Sequence, residues 1–254
     1  MNKKIYLSPH TLNVFRECPR CFYQEVKWKV KRPRGPFPSL PNGIDAVLKT
    51  YFNIYRQSGE LPPFLRSEIN GHLMKDLKET YWHQMDATTV LFGKLDDCIV
   101  LPDGRHAPFD HKTKATPPDD IHPAYVFQMA TYRFLLEGNR YPVADHAYLV
   151  YYCPVSHRDD TVTDIKDVIR FQYKILRAEH LDGEQVRQVV HDAVSCLKED
   201  DLPASGVSCE YCAWMKTIGG LTGAGTLPPI QSEQPGEKAA PPSDDAAFEK
   251  GNLF

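Results

Sequence analysis

Residues 87–113 read ATTVLFGKLDDCIVLPDGRHAPFDHKT. Three runs inside this stretch, TTVLFG, KLDDCIVL and RHAPFDHKT, are rich in β-branched, aromatic and other apolar residues. Such runs suit a pleated backbone. Pro102-Asp103-Gly104, between the last two, is a turn signal. A meander of three strands is therefore predicted. On a strand, side chains two apart point the same way. Asp110 and Lys112 then project together, with His111 on the other face. Asp96, on the preceding strand, stands about one strand spacing away. Two carboxylates and one ammonium converge at one end of a small sheet.

Helices flank this stretch. Ser8-Pro9 is a good N-cap and N1 pair for a helical segment over residues 8–24. GPFPSLPNG at 35–43 is a connection, and Asn42 can cap a helix over about 43–57 whose apolar positions are Val47, Leu48, Tyr51 and Tyr55. A second helix is predicted over about 68–84. After the meander, Pro117-Pro118-Asp119-Asp120 ends the strand and caps a helix running to Gly138. Strands are expected at 145–153 and near 167–176, and a helix near 183–199. The chain is thus mixed α+β. Its order of helix, three strands, helix, strand (αβββαβ) is that of the restriction-endonuclease-like core. Three regions are expected: a basic segment over 1–35, a core over 36–216 and a disordered acidic tail over 217–254, which is rich in Gly, Pro, Ala and Ser.

The formal net charge of -3 hides an asymmetry. Residues 1–35 carry nine Lys or Arg and two Glu, a local +7 that leaves -10 for the rest. Lys27, Lys29, Lys31, Arg32 and Arg34 concentrate that charge. They can meet an anionic polymer such as nucleic acid, or KWKVK can be a solvated amphipathic strand with its three lysines on one face. No run of eighteen apolar residues is present, so no membrane span is expected. MNKKIYLSPH lacks an apolar leader core, and the cytoplasm is the expected compartment.

The convergent carboxylates fit a hard divalent cation such as Mg2+ or Mn2+, which prefers oxygen ligands and keeps several waters. Asp96, Asp110 and the backbone carbonyl of His111 can supply three oxygens. A lysine beside them can position an attacking water or hold a phosphate oxygen. Alone, D-x-K is most often a surface ion pair of small energetic value. Three segments in order make the pattern specific. Gly93-Lys94-Leu95-Asp96 resembles the G-x-[IL]-D segment of RecB-like nucleases in the PD-(D/E)XK superfamily. Asp110-His111-Lys112-Thr113 resembles their D-x-K-T segment, and Gln128-Met129-Ala130-Thr131-Tyr132 their Q-x3-Y motif on the next helix. The resemblance implies a nuclease acting on DNA, with Asp96 and Asp110 as metal ligands, Lys112 assisting the water, and Gln128 and Tyr132 orienting the strand. Single-stranded ends are the expected substrate, in repair, recombination or defence. One departure stands out. Such nucleases usually carry a further His or Glu ligand on the helix before the strands, and here that helix offers only Asp45, which can equally serve the positive end of the helix dipole. A nucleic-acid-binding module with weakened catalysis is therefore the competing expectation.

Seven cysteines are present, and four form two C-x2-C pairs: Cys18 with Cys21, and Cys209 with Cys212. This spacing suits a tetrahedral zinc site. RecB-like relatives, AddB-type and CRISPR-associated ones among them, hold a four-iron cluster with one cysteine before the nuclease domain and three after. The resemblance thus implies iron-sulfur where the two-and-two spacing implies Zn2+. Either metal would join the two ends of the chain. Finally, the chain ends in Phe248-Glu249-Lys250-Gly251-Asn252-Leu253-Phe254. Its Leu-Phe end resembles peptides that dock on bacterial sliding clamps, although the glutamine usual in them is missing; the tail is either a docking segment for a clamp or helicase partner or a frayed terminus whose Leu253 and Phe254 have no such role.

Overall fold

A computed structural model describes residues 4–33, 39–155 and 170–222. Two short helices, α1 (Pro9–Glu17) and α2 (Pro19–Lys27), replace the single helix expected over 8–24. The break is Cys18-Pro19. Proline disfavours helical backbone in the residue before it, and Cys18 is extended at φ -155° and ψ 101°. Ser8 caps α1 in a reciprocal capping box with Thr11. KWKVK is not a strand. Lys27 ends α2, Lys29 takes a left-handed φ of 64°, and Val30 N–H returns to Gln24 O at 3.0 Å. The helix-ending turn overrides the alternating pattern, and the lysines do not share one strand face.

The next helix, α3 (Ser39–Ser58), starts before Asn42, which lies inside it rather than capping it. The expected helix over 68–84 is a correction. That segment holds β2 (His72–Leu73), drawn into a sheet by pairing with the distant Ile99–Val100, and β3 (Tyr81–Gln84), which forms a hairpin with the strand that follows it. Then come β4 (Thr89–Gly93), β5 (Asp97–Val100) and β6 (His106–Thr113). They do not form one meander. β4 lies between β3 and the parallel β1 (Ile5–Leu7) in a three-stranded sheet. β5 and β6 belong to a five-stranded sheet of order β2-β5-β6-β7-β8, where β7 is Ala147–Pro154 and β8 is Phe171–Ala178.

The pairing β5–β6 is antiparallel and β6–β7 parallel. The parallel step needs a crossover, supplied by α4 (Pro123–Gly138). Helix α5 (Gly183–Lys198) follows β8, and α6 (Glu210–Thr222) follows a connecting segment. Within the larger sheet the sequence of elements α3-β2-β5-β6-α4-β7 reproduces αβββαβ, with β3 and β4 diverted to the smaller sheet. Helix α6 runs past Lys216 to Thr222, so residues 217–222 are helical where a disordered tail was expected. The Gly219-Gly220 pair lowers helix propensity by only about 1 kcal/mol per residue, and the helix continues through it. The remainder of the expected tail, with Phe248, Leu253 and Phe254, lies outside the described residues. No described helix is long and apolar enough to cross a membrane.

Both faces of the central strands are covered. One core, around Phe52 of α3, takes Ile99, Ala107, Phe109, Tyr148, Val150 and Tyr152. The other, around α4, takes Cys98, Leu149, Tyr151 and Cys153. Strand β7 divides its residues between the two cores by parity, as a strand buried on both sides must. Cys98 and Cys153 are ordinary core residues, as their apolar settings suggested.

Candidate nuclease site and four-cysteine centre

Strand parity sorts the residues of β6. Phe109 and His111 face α3. The His111 ring lies 4.4 Å from Phe52 and bonds the Tyr152 hydroxyl through Nδ1 at 3.1 Å. Burial pushes its pKa down to about 4, so the ring is neutral. Asp110 and Lys112 face α4. Asp110 is 1% exposed, and its Oδ2 touches the Lys112 ammonium. Apart from this ion pair, Oδ2 has no hydrogen-bond donor among the described residues. Lys112 Nζ also donates to Gln128 Oε1 at 3.3 Å, and Gln128 Nε2 donates to the Tyr132 hydroxyl at 3.0 Å. The ammonium lies 4.7 Å from the centre of the Tyr125 ring. Lys112, Gln128 and Tyr132 thus form one chain from the sheet to α4, with Gln128 and Tyr132 one helical turn apart.

Asp96 sits in the bend just before β5 rather than on a strand. Asp97 pairs with Phe109 across the strands, so one step outward Asp96 stands opposite Asp110. Burial raises the Asp110 pKa above the ordinary carboxylate range, the Lys112 ammonium pulls it back, and the Asp96 carboxylate pushes it up again. The end of β4 passes close to α4 at Gly93: a Cβ there would stand 2.8 Å from Leu135 Cδ1 and 3.1 Å from Tyr132 Cε1, so a side chain would require these two to shift.

Asp97 has a different task. Its two oxygens accept from Arg56 of α3 at 2.9 and 2.8 Å, and Arg56 also reaches Met74 O at 3.0 Å. This buried bidentate pair ties α3 to the first residue of β5. It was not foreseen, because the partners are 41 residues apart and nothing local marks either. Asp45 is paired with Lys49 at 2.7 Å, one turn along α3. Asp45, with smaller contributions from Asp96 and Asp110, raises the Lys49 pKa.

Two hollows flank the carboxylates. One of about 310 Å3 is lined by Lys49, Asn53, Asp96, Asp97 and His111. The other, about 200 Å3, is lined by Lys112, Lys114, His122, Tyr125 and Tyr151. Lys49, Lys114 and Tyr125 were not singled out by sequence. A lysine or tyrosine gains meaning only from the carboxylates it is brought beside.

The residues of the basic arm do not act alike. Lys27 Nζ donates to Glu199 O and packs on the Tyr23 ring. Lys29 and Lys31 are exposed. Arg32 pairs with Glu17 at 2.8 Å and donates to Cys209 Sγ at 3.5 Å, so it belongs to the cysteine centre as much as to the surface. Arg34 lies outside the described residues.

The two C-x2-C pairs meet. Cys18, Cys21, Cys209 and Cys212 place their sulfurs all within 4.8 Å of one another, the only such convergence of three or more metal-binding side chains among the described residues. This centre joins the N-terminal helices to the segment 203–212. Arg20 Nε to Pro203 O at 2.9 Å and Tyr23 OH to Glu199 O at 3.0 Å reinforce the junction.

A family model described as PD-(D/E)XK nuclease superfamily matches residues 56–217, and the chain belongs to that superfamily. The match takes in Asp96, Asp110, Lys112, Gln128, Tyr132 and the second C-x2-C, and begins after Asp45 and the first. Among solved structures, one titled "Crystal structure of SSO0001" is similar over 85% of this chain and 87% of its own, at 14% identity and a TM-score of 0.42. No curated protein matches.

Proposed function

We propose that the chain is a Mg2+- or Mn2+-dependent nuclease of the RecB-like branch that hydrolyses DNA phosphodiester bonds, with single-stranded ends as substrate. The observation that carries this reading is the Asp110 carboxylate. It is sealed from water, faces Asp96, and has Lys112 as its one ion-pair partner among the described residues. A buried carboxylate held this way costs free energy unless a cation compensates it. Its oxygens and those of Asp96 are the hard donors a divalent cation prefers. The donor set therefore fits such a metal, with Asp96, Asp110 and the His111 carbonyl as its protein ligands. Bound there, the metal would acidify a water and neutralise charge on the phosphate.

The chain's own residues supply the rest. Lys112 is held by Gln128, which is held in turn by Tyr132, so the ammonium has a fixed position from which to orient a water or a phosphate oxygen. It also pairs with Asp110. Lys49, on the other side, offers a second cation toward the phosphate. Lys114, His122 and the Tyr125 ring line a hollow in which the neighbouring nucleotide can lie, its phosphate against lysine and its base against the aromatic ring. Lys29 and Lys31 remain available to phosphates farther away. Repair, recombination or defence would use this activity.

A second reading has one observation in its favour. Helix α3 brings a paired Asp45 and a lysine toward the carboxylates, with neither His nor Glu. A weakened site that binds nucleic acid without cutting it would look the same. Incubation with labelled single- and double-stranded DNA, with Mg2+, Mn2+ or neither, separates the two. Cleavage that needs the metal supports the nuclease. Binding without cleavage under either metal supports the binding module.

A further inference from the structure

Each C-x2-C pair straddles the start of a helix. Phe22 N–H donates to Cys18 O at 3.1 Å, and Ala213 N–H donates to Cys209 O at 3.0 Å. These are the first helical bonds of α2 and α6. Cys18 and Cys209 therefore stand at the two N-caps, with Cys21 and Cys212 one turn inside. The start of a helix carries partial positive charge and favours the thiolate over the thiol. Here two such helix starts address one point.

The separations decide what can sit between the sulfurs. Three of the six Sγ–Sγ distances are 3.7 Å for Cys18–Cys212, 3.7 Å for Cys21–Cys209 and 3.5 Å for Cys21–Cys212, and none of the six exceeds 4.8 Å. Four thiolates bound to one ion at Zn–S of about 2.3 Å stand about 3.8 Å apart at the corners of a tetrahedron. A four-iron cluster binds each cysteine to a different iron. It keeps four irons and four sulfides between its ligands, so its thiolates lie farther apart than those sharing one ion. The cage fits a single tetrahedral ion and does not fit the cluster that the family resemblance implies.

We infer that the four cysteines hold one zinc ion and that Arg32 balances its charge. Four soft ligands exclude hard cations, and among divalent ions zinc binds such a site more tightly than ferrous iron. Four thiolates around a divalent ion carry two net negative charges, which a largely buried centre must offset. Gly206 N–H donates to Cys18 Sγ at 3.2 Å, and Arg32 Nη2 donates to Cys209 Sγ at 3.5 Å. Position 206 admits no side chain, since a Cβ there would lie 2.0 Å from Glu17 O. Glu17 in turn holds the other end of the Arg32 guanidinium. Arg32 is thus a positioning residue of the metal centre. This assignment stands apart from the proposed cleavage, because it is read from metal content and spectra.

The full chain, purified without oxygen, is assayed for zinc, iron, acid-labile sulfide and visible absorbance. The expected result is a colourless protein with about one zinc per chain and no sulfide. A brown protein with iron and sulfide in equal amounts would overturn the inference, and so would iron without sulfide. If the chain emerges without metal, added zinc must raise its melting temperature and cobalt must give a tetrahedral thiolate spectrum. Failure of either overturns it too. Arg32→Ala should weaken zinc binding about tenfold to a hundredfold with the cobalt spectrum unchanged, and Arg32→Lys should recover part of the loss. Unaltered zinc affinity in Arg32→Ala would remove Arg32 from the centre.

Discussion

The carboxylate site and the four-cysteine centre are built on opposite plans. The cysteines close on one another, with every ligand supplied by the protein and backbone and arginine donors outside them. The carboxylates converge only in part, beside two hollows, with a lysine in contact with one of them. A closed set of ligands holds a structural metal, and an open set leaves room for water and substrate. The difference matches the roles proposed for them: the cysteines join the N-terminal helices to the segment 203–212, and the carboxylates are the proposed place of the chemistry.

If that division is right, damage to each site should read out differently. Lys112→Ala should lower DNA cleavage by about a hundredfold or more. It should also tighten Mn2+ binding, since the metal would no longer compete with the ammonium for Asp110. Metal titration by calorimetry alongside cleavage rates checks both. Arg56→Ala should lower stability by about 3–5 kcal/mol, because it leaves Asp97 buried and unpaired; denaturant unfolding measures this.

The next contrast compares the two sites directly. Cys212→Ser should lower the melting temperature by more than about 5 °C through loss of metal-derived folding free energy. Asp110→Asn should leave the melting temperature unchanged or raise it, because it removes a buried charge that serves function rather than stability. Equal losses from both substitutions would erase the distinction. The smallest effect is expected at Gln128. Gln128→Ala frees the Lys112 ammonium without removing it, so cleavage should fall by about tenfold, with the melting temperature unchanged.

What the sequence revealed depended on distance along the chain. The shared face of Asp110 and Lys112 is a property of three consecutive residues, and the Gln128–Tyr132 turn one of five, so both were legible. The two C-x2-C pairs were legible as metal-binding motifs, yet their choice of metal rests on sulfur separations that only the folded chain sets. The helix expected over 68–84 gives way at β2 to pairing with β5, more than 25 residues later. The diversion of β4 into a second sheet depends on β1, near the other end of the chain. Arg32 reads as one more cation in a basic run until the fold brings it against Cys209. Local chemistry was visible, and the partners that give it direction were not.

The most direct measurement is cleavage of labelled single-stranded DNA by protein stripped of loosely held cations and then resupplied with Mg2+ or Mn2+, for the natural chain and Asp110→Asn side by side. Cleavage should return with either cation in the natural chain and fall by about a thousandfold or more in the variant, while the cysteine-bound metal content of both stays the same. Cleavage of equal rate in Asp110→Asn, or none by the natural chain under either cation, would contradict the assignment of Asp96, Asp110 and Lys112 as a working nuclease centre.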